Sequence, residues 1–318
     1  MSITDRCNFR CAYCMPAEGM AWLPREELLT YEEIARVARV CVERFGFRSV
    51  RVTGGEPLVR AHVTRLVEML ATLDVDLALT TNGVKLPELA HDLRAAGLRR
   101  VNVSLDSLRR ETFLALTRRD ELDRVLAGID AAIDAGLAPV KVNAVVIRGV
   151  NDDEIVNLAA FARDKGVGLR FIEFMPLDAE ATWSRDKVVP AAEILDRLDA
   201  VFSIEPVADE AGAEPAARYR YRDGRGEVGV IASVTAPFCG NCDRVRLTAE
   251  GQFRTCLFAL EEFDLRKELR VGAGLAETDL DDRLAAAIAG AVGTKWAGHR
   301  IGDDDFVRPA RSMSQIGG

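Results

Sequence analysis

The sequence is short of several things, and each shortage excludes something. It holds no apolar run long enough to cross a bilayer, and no charged-then-apolar leader opens it. Membrane insertion and export are therefore not expected, and the cytoplasm is the expected compartment. Basic charge is not in surplus: 42 Lys and Arg stand against 50 Asp and Glu, a formal net charge of −8. That disfavours a general nucleic-acid binder, whose affinity rests on basic surface. Aromatics make up only 6% of the chain, with Trp and Tyr too scattered for a base-stacking platform. The three histidines, His62, His91 and His299, fall in helical or loop context without matching partners and receive no role. Internal repeats and low-complexity tracts are missing too. What remains, 318 residues at 48% hydrophobic and 29% charged, suits a globular protein of one large or two modest domains.

Cysteine is what the sequence does have. Of seven, six fall into two tight groups, Cys7, Cys11, Cys14 and Cys239, Cys242, Cys256. Grouping of this kind in an intracellular protein speaks for metal ligation over disulfides. Cys41 stands alone in a helical pattern and reads as a small buried apolar residue. The first group is spaced C-x3-C-x2-C, so each thiol can take one corner of an iron–sulfur cube. Such a cube normally takes four cysteines, and three leave one iron open for catalysis. A zinc knuckle competes, but no His or Asp nearby completes a tetrahedron. The second group, C-x2-C-x13-C, admits a zinc site with a borrowed ligand, thiols packed in a small sheet, or a second open cube. A first cube favours the last.

Between the cysteine groups the chain alternates helix and strand. Thr30 and Glu33 form a capping box ahead of a helix from Tyr31 to Arg44, which Gly46 stops. Strands are expected at 49–53, 76–81, 100–104, 140–146 and 169–174. Helices are expected near 60–72, 86–96, 109–135 and 152–165. With Ser2-Ile3-Thr4 as a strand stub, six βα-type units predict an α/β fold, an incomplete (β/α)6 barrel of parallel strands. The unusual polar motifs fall at strand ends, where such barrels build their active sites. From about residue 180 the pattern changes to a helix at 188–198, an exposed acidic loop at 208–217, hairpins across 217–257 and a long helix near 279–291. The expected division is 1–185 and 186–318, the second part an antiparallel-sheet and helical extension. The polar stretch 303–318 reads as a mobile tail.

Gly54-Gly55-Glu56-Pro57 lets backbone approach a ligand and offers carbonyls and a carboxylate to an ammonium group, although alone it is only a turn. Arg244 and Arg246 share one face of a strand, and Arg51, Lys141 and Arg170 lie on three barrel strands. Singly, each is an ordinary surface or paired cation. Together they suggest a polyanion such as a triphosphate.

The cysteine loop with Tyr13 before its last thiol resembles the radical S-adenosylmethionine superfamily. Thr4 to Pro16, Arg51 to Leu58, Val101 to Ser107, Phe171 to Met175, Phe238 to Thr248 and the terminal Gly317-Gly318 together resemble the GTP 3′,8-cyclase family of molybdenum cofactor biosynthesis, nearly end to end. The resemblance implies two [4Fe–4S] clusters and S-adenosylmethionine as cofactors. Cys7, Cys11 and Cys14 would hold one cluster, with Tyr13, Gly55, Ser104 and Met175 lining the cofactor site. Cys239, Cys242 and Cys256 would hold the other, which binds the guanine. Arg51, Thr80, Lys141, Arg170, Arg244 and Arg246 would contact GTP, with Lys141, Arg244 and Arg246 nearest the chemistry. A deoxyadenosyl radical would abstract H3′, and the C3′ radical would close onto C8. An electron donor, cyclic pyranopterin monophosphate synthase downstream and a possible homodimer complete the implied partners. A substrate-contacting arginine of the family lies just upstream of Ser2. A chain beginning at Met1 is thus expected to bind GTP more weakly and to leave the barrel edge open. The glycine tail would reach into the active site.

Two other readings compete. A peptide-modifying radical enzyme would usually carry more cysteines after residue 230 and lacks the Arg244/Arg246 pair. A non-catalytic iron–sulfur scaffold would need neither the glycine turn nor the cations.

Overall fold

The computed structural model describes residues 1–207, 214–272, 274–296, 298–303 and 305–317. Five parallel strands, β1 (Ser49–Val52), β2 (Asp76–Thr81), β3 (Arg100–Ser104), β4 (Val140–Val146) and β5 (Gly168–Glu173), lie side by side in chain order. Ser2 pairs parallel with Thr53 ahead of β1, so the expected stub is present. Helices α1 (Tyr31–Phe45), α2 (Val63–Ala71), α3 (Leu86–Ala95), α4 (Arg110–Thr117), α5 (Leu122–Asp134) and α6 (Ile155–Lys165) make the crossovers. The capping box of α1 forms, with Glu33 N donating to Thr30 Oγ1 at 3.1 Å and Thr30 N to Glu33 Oε2 at 2.7 Å. Gly46 ends that helix at φ 68°, a conformation open to glycine.

Beyond β5, helix α7 runs Ala191–Phe202, three residues later than its apolar pattern suggests because Pro190 sets its start. The next hairpin departs from expectation. Strands β6 (Ile204–Pro206), β7 (Ala217–Tyr221) and β8 (Glu227–Ile231) do not form a separate sheet. β8 pairs parallel with β5, and the barrel sheet continues β5-β8-β7-β6. A second sheet of β9 (Arg246–Leu247), β10 (Gln252–Arg254) and β11 (Phe263–Asp264) packs with α8 (Leu265–Val271) and α9 (Glu277–Gly293). Ser2 N donates to Leu247 O at 2.8 Å, so β9 covers the stub's outer edge that was expected to stand open. Part of the acidic loop, 208–213, and the final Gly318 lie outside the described residues.

The barrel has two unlike faces because side chains alternate across a strand. Val50, Val52, Leu77, Leu79, Val101, Val103, Val142, Leu169 and Phe171 join one core with the helices, and each contributes about 2 kcal/mol by leaving water. Most of the alternate positions are polar (Arg51, Asp76, Thr80, Arg100, Asn102, Ser104, Lys141, Asn143 and Arg170), with Ala78, Val145 and Ile172 among them. A parallel sheet buried on both faces would be apolar throughout. This one keeps a largely polar inner face.

The polar end of the chain is not a loose tail. Ser312 caps a turn, α10 (Met313–Ile316), and Ile316 is 1% exposed. Phe306, Met313 and Ile316 pack with Leu177, Val188, Val234, Phe258 and Ile301. Composition missed this because a few apolar residues in a polar stretch suffice to dock a single turn.

Candidate active site

The first cysteine loop leaves the stub and folds over the carboxyl ends of the strands. Its backbone is held from several sides. Arg10 N and Ala12 N donate to Thr117 O and Leu116 O at 3.0 and 2.9 Å. Arg119 Nε donates to Asn8 O at 3.0 Å and Arg118 to Met15 O at 3.2 Å. Asn82 Nδ2, at the end of β2, donates to Asn8 Oδ1 at 2.8 Å. A loop so tied presents its thiols in fixed directions.

The two glycines of the following turn serve that loop. A Cβ on Gly54 would meet Thr4 O at 2.7 Å, and one on Gly55 would meet Arg6 O at 2.5 Å. Gly55 N donates to Thr4 O at 2.7 Å and Glu56 N to Arg6 O at 2.8 Å. The carboxylate of Glu56 is not free for a ligand ammonium group, contrary to expectation. It is 2% exposed and accepts from Thr81 Oγ1, Asn82 N and Leu58 N at 2.7, 2.6 and 2.9 Å. Burial still raises its pKa to about 7. Gly55→Ala must therefore displace the cysteine loop. We expect it to cost about 3 kcal/mol, read as a lowered unfolding temperature; an unchanged temperature contradicts this packing.

Tyr13 donates to Asp106 Oδ2 at 2.6 Å, and Asp106 Oδ1 accepts from Val145 N at 2.8 Å. Burial lifts Asp106 to about 6. Ser104 stands two residues away at the end of β3, in register with Asn143. Met175 follows β5 and packs in the cluster that includes Cys256 and Ile316.

Burial and then the neighbouring charges push the first thiols up, Cys7 to about 11 and Cys14 to about 12, with Cys11 also well above its ordinary value. In the second group burial likewise works to raise Cys242, but the N–H and guanidinium of Arg244 outweigh it and its pKa falls. Thiols of this kind ionise when a metal takes the proton's place. Among the described residues no three His, Cys, Asp or Glu side chains converge on one ion position. A donor set of three cysteines in each group suits three corners of an iron–sulfur cube.

The cations gather in the lumen below the strand ends. Lys141 and Arg170 occupy the first halves of β4 and β5, deeper than the motifs at the strand ends. Glycine on the neighbouring strand makes room for each stem. Lys141 lies beside Gly168, where a Cβ would come within 3.3 Å of its Cγ, and Arg170 beside Gly229, at 3.4 Å. Thr80 is in register with Asn102, which pairs in turn with Lys141. Arg246 is lowered to about 10 by burial and then by Arg244 and Arg51. Arg244 stacks over the Phe238 ring at 4.9 Å. Sequence reasoning missed Arg100, whose guanidinium grips Asp76 (Nε to Oδ1, 2.8 Å) among these cations. It also missed Glu214, paired with Arg170 and Lys141, and Lys295. The Lys295 ammonium donates to Arg244 O at 2.7 Å and Thr255 O at 2.5 Å, tying the two segments that carry Cys242 and Cys256. Inward alternation marked Arg100 in the sequence; Glu214 and Lys295 carried no signal. His299, given no role, lies beside the second group: with Cys256 and Phe258 it lines a cavity of about 210 Å³.

The tail joins the two regions. Ser314 donates to Met20 Sδ at 3.6 Å and opposes the rise in pKa of the nearby Cys14 thiol, while Met313 and Ile316 pack in the cluster that holds Cys256. Gly317, at φ 73°, lies against Thr53 and Ser2, where a Cβ would meet Thr53 Cγ2 at 2.7 Å.

Residues 1–162 match the Radical SAM superfamily, and residues 167–301 match Molybdenum Cofactor Synthesis C. The GTP 3′,8-cyclase of Corynebacterium glutamicum is 49% identical over 329 residues, covering 100% of this chain and 86% of that protein. That of Streptomyces coelicolor is 50% identical over 321 residues, covering 100% and 92%. Among solved structures, Streptococcus suis SuiB bound to S-adenosylmethionine superposes with a TM-score of 0.51 at 19% identity, covering 63% of this chain and 45% of that one. Methylornithine synthase (PylB) gives 0.51 at 18%, covering 64% and 61%. These two likenesses bear on the fold alone. With half its sequence shared with these cyclases along its full length, the chain belongs to the GTP 3′,8-cyclase family of the radical S-adenosylmethionine superfamily.

Proposed function

We propose that this protein converts GTP to 3′,8-cyclo-7,8-dihydro-GTP, the first step of molybdenum cofactor biosynthesis. The observation that carries the reading is the grouping of cations: the charges of Arg170, Arg100 and Arg244 act on Arg51, and those of Arg244 and Arg51 act on Arg246, which also feels Cys242 and Cys256 of the second cysteine group. Cys7, Cys11 and Cys14 hold one [4Fe–4S] cluster, and Cys239, Cys242 and Cys256 a second. The first cluster with S-adenosylmethionine supplies a hydrogen-abstracting radical. The protein's own contribution is placement. Tyr13, Gly55, Ser104 and Met175 line the cofactor side. Arg51, Thr80, Lys141, Arg170, Arg244 and Arg246 hold the nucleotide, the cations on its phosphates, so that ribose C3′ faces the cofactor. Residues 1–185 form the cofactor-bearing part and 186–318 the part that completes the substrate site. An electron donor, cyclic pyranopterin monophosphate synthase as consumer of the product, a cytoplasmic location and a homodimer belong to the same reading. No helix among the described residues is long and apolar enough to cross a membrane.

Anaerobic reconstitution tests it. The protein should consume S-adenosylmethionine in a GTP-dependent way and yield 5′-deoxyadenosine with a cyclised nucleotide. Full iron loading with no 5′-deoxyadenosine favours a scaffold instead. Lys295→Met is expected to loosen the second cysteine group and lower iron from about eight toward about four per chain. Retention of all the iron would remove Lys295 from the account.

A further inference from the structure

Two carboxylates share the lumen with the cations. Asp76 is engaged by Arg100 through both oxygens. Glu214 arrives from the segment ahead of β7, and its Oε1 accepts from Arg170 and lies 3.5 Å from Lys141 Nζ. The partners of this contact differ in how firmly they are fixed. Arg170 is 6% exposed, with its stem laid beside Gly229, and Lys141 is set beside Gly168. The Glu214 side chain is 38% exposed on a connecting segment. The cations are built into the sheet, and the carboxylate is brought to them. Arg51, Arg244 and Arg246 have no ion-pair partner among the described residues. One carboxylate bridging two lumen cations, beside three more without an ion-pair partner among the described residues, sits where an incoming phosphate would bind.

We propose that Glu214 is an internal stand-in for substrate phosphate, which neutralises Lys141 and Arg170 in the empty enzyme and is displaced when the polyphosphate of the nucleotide enters. This rests on the nucleotide reading above and adds a residue that sets affinity. Displacement lowers the apparent affinity of every anion that needs these two cations by the same factor. Weakly held anions such as free phosphate then stay below saturation. A triphosphate, which also engages Arg51, Arg244 and Arg246, still binds.

The test is calorimetric titration of reconstituted wild-type and E214Q enzyme with GTP and, separately, with inorganic tripolyphosphate. E214Q should bind both about tenfold more tightly, and E214D, which keeps the charge on a shorter stem, should fall between. Without ligand, E214Q should unfold at a lower temperature than wild type, because the cations lose their counter-charge, and tripolyphosphate should raise that temperature more in E214Q. Equal or weaker binding by E214Q, with wild type binding GTP, overturns the proposal and leaves the nucleotide reading intact. Wild-type enzyme that binds neither GTP nor tripolyphosphate defeats the nucleotide reading itself.

Discussion

Cys11→Ala is expected to abolish GTP turnover and to cut iron from about eight to about four per chain. A cube held by three thiols has no spare protein ligand, and Cys11 is the middle corner of its loop. The backbone around it should survive the change, because Arg10, Ala12 and Asn8 are anchored through Leu116, Thr117, Asn82 and Arg119 rather than through the thiol. The variant should thus be folded, half-loaded with iron and unable to form 5′-deoxyadenosine. A rate within tenfold of wild type would show that this loop does not hold the catalytic cluster.

Arg246→Ala carries the second large effect, and it acts in two directions. Removing one charge-assisted contact to phosphate in this half-buried site should weaken GTP binding by about a hundredfold or more. The same change should stabilise the protein when no nucleotide is bound. Burial, then Arg244 and Arg51, depress Arg246 to about 10 from an ordinary 12.5. A base whose folded pKa is depressed takes up protons more readily in the unfolded chain, so its charge disfavours folding at every pH below about 10. That penalty fades only as pH rises from about 10 toward 12.5. Near neutral pH the alanine variant should therefore unfold about 2–4 °C higher than wild type. Thermal unfolding without ligand reads the stability, and calorimetry reads the affinity. A variant that is both weaker-binding and less stable would mean that Arg246 is mainly a packing residue.

Much of the barrel was legible because its strands carry a largely alternating pattern between polar connecting segments. The intervals 76–81, 100–104 and 140–146 coincide with β2, β3 and β4. The capping box at Thr30 and Glu33 was equally local and equally readable. The path of β8 was not. A hairpin's sequence fixes its own antiparallel pairing, but not that its second strand adds parallel to β5 through a contact some sixty residues distant. The tail misled for a related reason: composition reports average polarity, whereas docking needs only Met313 and Ile316 to meet an apolar cluster formed elsewhere.

The six grouped cysteines and five of the cations were visible as motifs. Their depth was not. The sequence places Lys141 and Arg170 on barrel strands without their depth, and the strand register seats them beside Gly168 and Gly229 in the first halves of β4 and β5. The glycine turn was legible as a motif and misread in its chemistry, since Glu56 spends its oxygens on Thr81, Asn82 and Leu58. Arg100, Glu214 and Lys295 act through tertiary contacts that no spacing announces.

Turnover requires one continuous lumen in which a nucleotide gripped by Arg51, Lys141, Arg170, Arg244 and Arg246 offers its ribose to the cofactor beside Cys7, Cys11 and Cys14. GTP carrying deuterium at C3′ tests this most directly. Incubated anaerobically with reconstituted enzyme and S-adenosylmethionine, it should yield 5′-deoxyadenosine carrying one added deuterium per turnover. Unlabelled 5′-deoxyadenosine formed alongside consumed GTP would contradict it.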